Sequence, residues 1–385
     1  MPPTQPSSTT DPRFLRQALR LARRGYGLTS PNPLVGAVLV KNGQIIGRGW
    51  HHRAGLPHAE IEAIRDAQRR GADVAGATLY VTLEPCCTRG RTPPCTDAII
   101  SAGIRHVVAG ATDPNPRHRG RAFSILRRAG VRVTHGLLLE ESARLNEAFN
   151  HWIVHGTPFV TVKAAMTLDG KIATPAGESK WITGQAARAF GMRLRFGADA
   201  ILVGVNTILA DDPSLTLRDS SARPAPVKPR GLRRIVLDSL ARTPLGAKVV
   251  SDQHAAWTTI VVSRAAPRSR VDALRRRVNV LRAPLGRRRA AQPPQIDLPW
   301  LLKRLGAEQV TSLLVEGGGE VNASFLLQRL AHRVAFFYAP KILGGRLARP
   351  AVAGPGARTL DEALRLTEVQ WRRLGPDWLL WARVC

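Results

Sequence analysis

Apolar positions Phe14, Leu15, Ala18, Leu21 and Ala22 recur at helical spacing directly after Asp11-Pro12. Asp at an N-cap followed by Pro at the first helical position predicts a helix start there. Ser30-Pro31-Asn32-Pro33 breaks the pattern. The apolar run over 34–40 then reads as a buried strand, and Asn42-Gly43 is a strong two-residue turn into a partner strand at 44–50. Helices are predicted over 58–70, 95–102 and 119–129, and strands over 77–83, 105–111 and 131–135. A polar helix over 140–155 ends at Gly156-Thr157-Pro158. Strands alternating with helices predict an α/β sheet covered on both faces.

The alternation resumes beyond this punctuation. Strands are predicted over 159–165, 198–203, 234–237, 258–262, 311–315 and 334–338, and helices over 185–196, 298–305 and 321–330. The expected organisation is a disordered N-terminus over 1–10, one domain over 11–150 and a second over 157–385.

Composition alters this picture little. At 385 residues and 44% hydrophobic the chain is long and apolar enough for two folded domains, and with only 5% aromatics the cores must rest on Leu, Val, Ile and Ala. No apolar run is long enough to span a bilayer, and the N-terminal stretch lacks a signal peptide's apolar segment, so a cytoplasmic location is expected. Charge is more unusual. The net charge is +29, carried by 49 Arg and 8 Lys against 28 acidic residues. The Arg-rich runs 223–234, 264–277 and 287–289 fall in Pro-rich, loop-like stretches and read as solvated surface. Contact with nucleic acid is then expected to be non-specific and salt-sensitive.

The four cysteines are too few for a disulfide framework in a chain this long. Three of them lie within ten residues, which points to metal. Pro57-His58-Ala59-Glu60 is followed by Glu84-Pro85-Cys86 and Pro94-Cys95. One imidazole and two thiolates, His58, Cys86 and Cys95, make three zinc ligands with a fourth position open, the pattern of a catalytic site. Glu60, two residues past a ligand at a helix start, faces that position as the proton shuttle. This is the zinc deaminase signature. Cys87 reads as a non-ligand because adjacent side chains diverge. Eight residues separate the two cysteine ligands, and the arginines among them suit an anionic substrate.

These motifs resemble a known family. Leu34-Val35-Gly36, Gly47-x-Gly49-x-His51, Pro57-His58-Ala59-Glu60, Gly90-Arg91-Thr92-Pro93-Pro94-Cys95 and Asp113-Pro114-Asn115-Pro116 are similar to the bifunctional deaminase/reductases of riboflavin biosynthesis. The resemblance implies that Asn32, His51, Arg91, Asp113 and Asn115 meet the pyrimidine and its ribose phosphate. Thr88 departs from the pattern, since many members carry His there.

In the second half the strand 311–315 leads through Glu316-Gly317-Gly318-Gly319-Glu320 into a helix, an arrangement that offers backbone N–H groups to a phosphate. Taken alone it is equally a plain tight turn. Leu168-Asp169-Gly170-Lys171, Gly177-Glu178-Ser179-x-Trp181-Ile182-Thr183 and the segment 206–218 resemble the family's reductase half, which is similar in fold to dihydrofolate reductase and uses NADPH. The resemblance implies that Ala165, Trp181, Thr207, Asp211, Ser239 and the run Gly318, Gly319, Glu320, Val321, Asn322, Ala323 and Ser324 line the cofactor. Ser179, Arg195, Leu215, Arg218 and Glu316 would meet the substrate, with Arg195 and Arg218 gripping its phosphate.

The expected fold is therefore α/β throughout, a cytidine-deaminase-like α/β/α domain followed by a dihydrofolate-reductase-like α/β domain. Expected partners are a small phosphorylated pyrimidine and further copies of the chain, with neither specific nucleic acid nor membrane. The rival is a zinc-dependent nucleic-acid base deaminase with a basic accessory domain, favoured by the charge. The long insert between the cysteines and the lack of aromatic stacking platforms oppose it.

Overall fold

Asp11 caps the first helix, α1 (Pro12–Ala22), by accepting from the Arg13 backbone N–H at 2.9 Å. The computed structural model describes residues 10–89, 93–217, 231–286 and 295–385, so the expectation of a disordered terminus over 1–10 falls almost wholly outside the described residues. The chain forms two compact units that divide between Gly156 and Thr157.

In the first unit β1 (Gly36–Lys41) turns at Asn42-Gly43 into β2 (Gln44–Trp50). Both turn residues have positive φ, 52° and 75°, which Asn and Gly tolerate. Helix α2 (Ala59–Arg69), β3 (Thr78–Leu83), α3 (Cys95–Ser101), β4 (His106–Ala111), α4 (Arg121–Arg128) and β5 (Arg132–His135) follow. The sheet order is β2-β1-β3-β4-β5, antiparallel on the hairpin side and parallel from β3 to β5. Alternate strand residues serve opposite faces. Leu39, Leu79, Val81 and Val107 pack with Ala63, Ile99 and Leu126. Val38, Tyr80 and Val108 pack with Leu15, Ala18 and Leu21 of α1.

The expected single helix over 140–155 is two, α5 (Leu139–Leu145) and α6 (Glu147–His155). The break is at Asn146, whose side chain accepts from Leu34 N at 2.7 Å and donates to Leu34 O at 2.9 Å. That tertiary pairing outweighs the local preference for a continuous helix.

The second unit begins with β6 (Phe159–Thr167), β7 (Lys171–Ala173) and α7 (Gln185–Gly197). Next come β8 (Ala200–Gly204), α8 (Val205–Asp211), β9 (Arg233–Leu237), α9 (Lys248–Ser251), β10 (Thr258–Val262), α10 (Arg268–Arg275) and β11 (Asn279–Arg282). They are followed by α11 (Leu298–Ala307), β12 (Ser312–Val315), α12 (Gly319–Leu327), β13 (Arg333–Ala339), β14 (Arg349–Pro350), β15 (Leu366–Leu374) and β16 (Asp377–Val384). Among the described residues nine strands form one sheet, β11-β10-β9-β8-β12-β6-β13-β16-β15, parallel from β11 to β13, with β16 antiparallel to both β13 and β15. Leu202, Ile235 and Val261 face Leu301, Leu305 and Phe325 on one side. Ile201, Val236 and Ile260 face Ile208, Val249 and Val271 on the other.

The Arg-rich run 264–277, expected as a loop, contains α10, which buries Val271 and Leu274. Arg234 is not solvated surface either: it is 1% exposed, and its guanidinium is bidentate to Asp252 at 2.7 and 2.8 Å.

Candidate active sites

The zinc motif comes together at element ends. His58 is the N-cap of α2, Cys86 follows β3, and Cys95 opens α3. The three ligand atoms lie within 4.8 Å of one another. His58 Nδ1 is 3.3 Å from Cys95 Sγ and 3.4 Å from Cys86 Sγ. A tetrahedral zinc holds nitrogen and sulfur ligands roughly 3.5 Å apart, so the donor set and its spacing fit the ion. The Cys95 thiol, His58 and the Cys95 backbone N–H together hold the Cys86 thiol below the ordinary thiol range. Cys87 is not part of the cluster.

Glu60 lies in the first turn of α2, 3% exposed, and burial pushes its carboxyl up to about 7. Among the described residues its Oε2 has no hydrogen-bond partner. A buried carboxylate oxygen without a partner is costly unless a ligand completes it. Room for the helix comes from β2: a Cβ on Gly49 would collide with Ala59 O, and one on Gly47 with Ala63 O.

Around this centre His51 Nδ1 lies 3.1 Å from Pro57 O, and Asn32 Nδ2 lies 3.1 Å from His51 Nε2. Nδ1–H therefore donates to the carbonyl and Nε2 accepts from Asn32, leaving Asn32 Oδ1 to accept from a ligand. Burial pushes the His51 imidazolium down to about 4, so the ring is neutral near pH 7. Asp113 and Asn115 sit on a loop pinned by Glu84, which accepts from Asp113 N at 3.1 Å, Gly120 N at 2.9 Å and Ala122 N at 3.0 Å. This role of Glu84 was not read from the sequence, where it appears only as the residue before Pro85-Cys86. Asp113 and Asn115 also organise the loop, accepting from Asn115 N and Arg117 N. The same loop brings His118 to Thr88, Nε2 to Oγ1 at 3.4 Å, so an imidazole stands beside the position where many members carry His. Arg91 lies outside the described residues.

The second unit holds a cavity of about 1040 Å³ at the ends of β8 and β9 and the start of α12. Ser179, Thr207, Asp211, Ser239, Gly318, Gly319, Glu320, Val321 and Ser324 line it. The glycine loop is tightly built. A Cβ on Gly317 would lie 2.5 Å from Val321 Cβ, and one on Gly319 would collide with Pro350 O. At Gly318 a Cβ would find only Thr207 Oγ1, at 3.8 Å, so the missing side chain leaves open space for a nucleotide. The cavity suits a dinucleotide in size and in its bare backbone at a helix start.

Other assignments fall elsewhere. Asn322 is fully buried and donates from Nδ2 to Ala351 O at 2.8 Å, and Ala323 is buried beside it. Ala165 is half-buried against Phe337. Trp181, outside the cavity lining, is 62% exposed beneath the Arg188 guanidinium. Leu215 is buried, and Arg218 lies outside the described residues.

Arg195 and Glu316, both expected to meet the substrate, are paired with each other. Arg195 Nε and Nη2 donate to the two Glu316 oxygens at 2.8 Å each, and Nη1 donates to Thr216 O at 3.2 Å. Lys163, which sequence reading missed, adds Nζ to Glu316 Oε2 at 3.5 Å. Burial opposes ionisation of Glu316, but the Lys163 and Arg195 charges outweigh it and hold the carboxyl at about 2. A guanidinium so engaged holds Glu316 in place, and among the described residues it leaves two of its five N–H donors unused.

Comparison with known proteins accords with both sites. Residues 158–380 match the RibD C-terminal domain, and residues 8–111 match the cytidine and deoxycytidylate deaminase zinc-binding region. The riboflavin biosynthesis protein RibD of Actinobacillus pleuropneumoniae is 43% identical over 99% of this chain and 97% of its own length. The chain belongs to the RibD family. RibD of Escherichia coli is 40% identical over 95% of this chain and 97% of its own. Among solved structures, Acinetobacter baumannii RibD superposes with a TM-score of 0.82 at 34% identity, covering 97% of this chain and 98% of that one. The Thermotoga maritima deaminase/reductase gives 0.78 at 34% identity, with the same coverage. RibD membership makes the chain a bifunctional deaminase and reductase of riboflavin biosynthesis, with zinc in the deaminase half and NADPH in the reductase half. The deaminase half is cytidine-deaminase-like and the reductase half dihydrofolate-reductase-like, as expected. The rival nucleic-acid reading falls, because the second unit is a reductase domain rather than a basic accessory domain. Among the described residues no helix is long and apolar enough to cross a membrane.

Proposed function

We propose that residues 11–150 deaminate 2,5-diamino-6-(5-phosphoribosylamino)pyrimidin-4-one at the amino-bearing C2, and that residues 157–385 then reduce the ribosyl group of the uracil product to ribityl. The observation that carries this reading is the trio His58, Cys86 and Cys95 beside a buried carboxylate oxygen with no partner among the described residues. His58, Cys86 and Cys95 would hold zinc, which when bound supplies water acidic enough to act at neutral pH. NADPH supplies the reducing equivalents in the other half.

The chain's own residues do the rest. Glu60 takes a proton at Oε2 and returns it to the departing amine, so ammonia leaves neutral. Asn32, oriented by His51, presents Oδ1 to an amino group of the ring. Asp113 and Asn115 hold the sugar from the Glu84-pinned loop, and Arg91 takes the phosphate. In the reductase half Glu316, fixed by Arg195 and Lys163, orients the substrate, Leu215 shapes its site, and Arg195 and Arg218 take the phosphate. Ser179, whose Oγ donates to Asp211 Oδ1 at 3.1 Å, stands where the substrate meets the cofactor. The cofactor lies along Thr207, Ser239 and the Gly318–Ser324 stretch.

The same reading includes self-association and a cytoplasmic location. The exposed edge strand β15, with Val369 and Trp371 uncovered, supports the first. The need to keep the ligand thiols reduced supports the second.

Glu60→Gln tests the assignment. Deamination should fall by about 10²–10⁴-fold. The same variant, given the deaminated uracil intermediate and NADPH, should oxidise NADPH at the parent rate. Retained deamination would remove Glu60 from the chemistry, and loss of both reactions in a folded variant would deny separate sites.

A further inference from the structure

Within the cavity of the second unit, Arg242 and Arg349 are the two cationic side chains among the described lining residues. Arg349 lies on β14, paired with Ala173, and its Nη2 is 3.6 Å from where a Cβ on Gly177 would sit. Arg242 has a different setting. It follows β9 on a turn held from both sides. Asp238 Oδ2 accepts from Thr243 N and Thr243 Oγ1 at 2.7 Å each, and Arg270 Nε donates to Ala241 O at 2.7 Å. Ser239 lines the cavity from the same turn.

The guanidinium itself is aimed but not neutralised. Arg242 Nη2 donates to Asn206 Oδ1 at 3.0 Å, and among the described residues no ion pair is found for it. Asn206 stands next to Thr207, whose Oγ1 faces the open space at Gly318. The order along the cavity is therefore glycine loop, Thr207, Asn206, Arg242. A dinucleotide whose pyrophosphate rests on the glycine loop places its adenosine ribose one or two side chains further on, at Arg242 and Ser239. A fork held by a neutral amide on one side keeps its remaining N–H donors and its full charge for a phosphate.

We propose that Arg242 binds the 2′-phosphate of the cofactor's adenosine ribose and thereby makes this reductase select NADPH over NADH. This rests on the reading that the cavity holds the dinucleotide. It adds the group that distinguishes the two cofactors, which differ only by that phosphate.

The test is direct binding to the full chain, read by quenching of tryptophan fluorescence with NADPH and NADH. Calorimetry with adenosine 2′,5′-bisphosphate and adenosine 5′-monophosphate supplies a readout free of turnover. Arg242→Ala should raise the Kd for NADPH and for the bisphosphate by about 10–100-fold, the loss of a charged hydrogen-bond partner. The Kd values for NADH and the monophosphate should stay within about twofold, because neither carries the phosphate in question. Arg242→Lys should recover part of the preference, as a point charge without the fork. Arg349→Ala should leave the preference intact. Equal weakening toward NADPH and NADH in Arg242→Ala would overturn the proposal, as would no change, or a preference lost in Arg349→Ala alone. A parent chain that bound neither dinucleotide would instead remove the reading of the cavity as the cofactor site.

Discussion

A largely buried carboxylate in the reductase unit stays ionised because two cations face it. Glu316 carries both halves of the Arg195 fork and the Lys163 ammonium, which together hold it at about 2 against an ordinary 4.5. A carboxyl depressed on folding contributes stability that is complete above about pH 4.5 and is lost as pH falls toward 2. Glu316→Gln leaves two part-buried cations without their counter-charge and should cost about 1.5–3 kcal/mol. Denaturant unfolding of parent and variant should differ by a constant amount above pH 5, and the gap should narrow below pH 4. A gap independent of pH down to 3 would mean that the carboxyl titrates normally. The ligands His58, Cys86 and Cys95 were legible in the sequence because each falls at an element end, in the order a metal site requires. The Arg195–Glu316 pair was not, because its members lie 121 positions apart and nothing local marks them as partners. Arg234 was hidden for another reason: a run of arginines looks solvated until the sheet places one beneath Asp252.

Elements carry the chemistry to its place. Helix α2 bears His58 at its cap and Glu60 in its first turn, so its seat on β2 positions the metal-ligand candidate and the proposed proton shuttle together. That seat needs bare backbone at Gly47 and Gly49. Gly49→Ala would press a methyl into Ala59 O, one residue from each of these two. Overpacking of this kind costs about 1–3 kcal/mol, and the strain falls on the start of α2. Zinc content, measured by elemental analysis, should drop and deamination with it, while reduction of the deaminated intermediate is kept. Full zinc content in Gly49→Ala would show that α2 yields without disturbing its cap. Most strands and helices could be read from hydrophobic period, since a period of two or of 3.6 is a local signal. The hairpin of β15 and β16 was missed: along β15 nearly every residue is exposed, so no alternation marks it. The break at Asn146 and the helix α10 were missed because partners elsewhere in the chain decide them.

At the scale of the molecule, each unit closes its own core. Leu39, Leu79 and Val107 cluster with helices of the first unit, and Leu202, Ile235 and Val261 with helices of the second. Each unit also carries its own ligand, zinc donors in one and the cavity with its glycine loop in the other. A ligand stabilises only what it binds, by about 2.7 kcal/mol at a hundredfold excess over its Kd. Calorimetric unfolding should therefore resolve two transitions with separate sensitivities. A strong chelator, which removes the metal tying α2, α3 and the end of β3 together, should lower one transition and abolish deamination. Saturating NADPH should raise the other and leave the first where it was. Chelated protein supplied with the deaminated intermediate should still oxidise NADPH at the parent rate. A single transition that moves equally with chelator and with NADPH would show that the units fold as one. The two steps would then share a stability, and a lesion in either core would silence both.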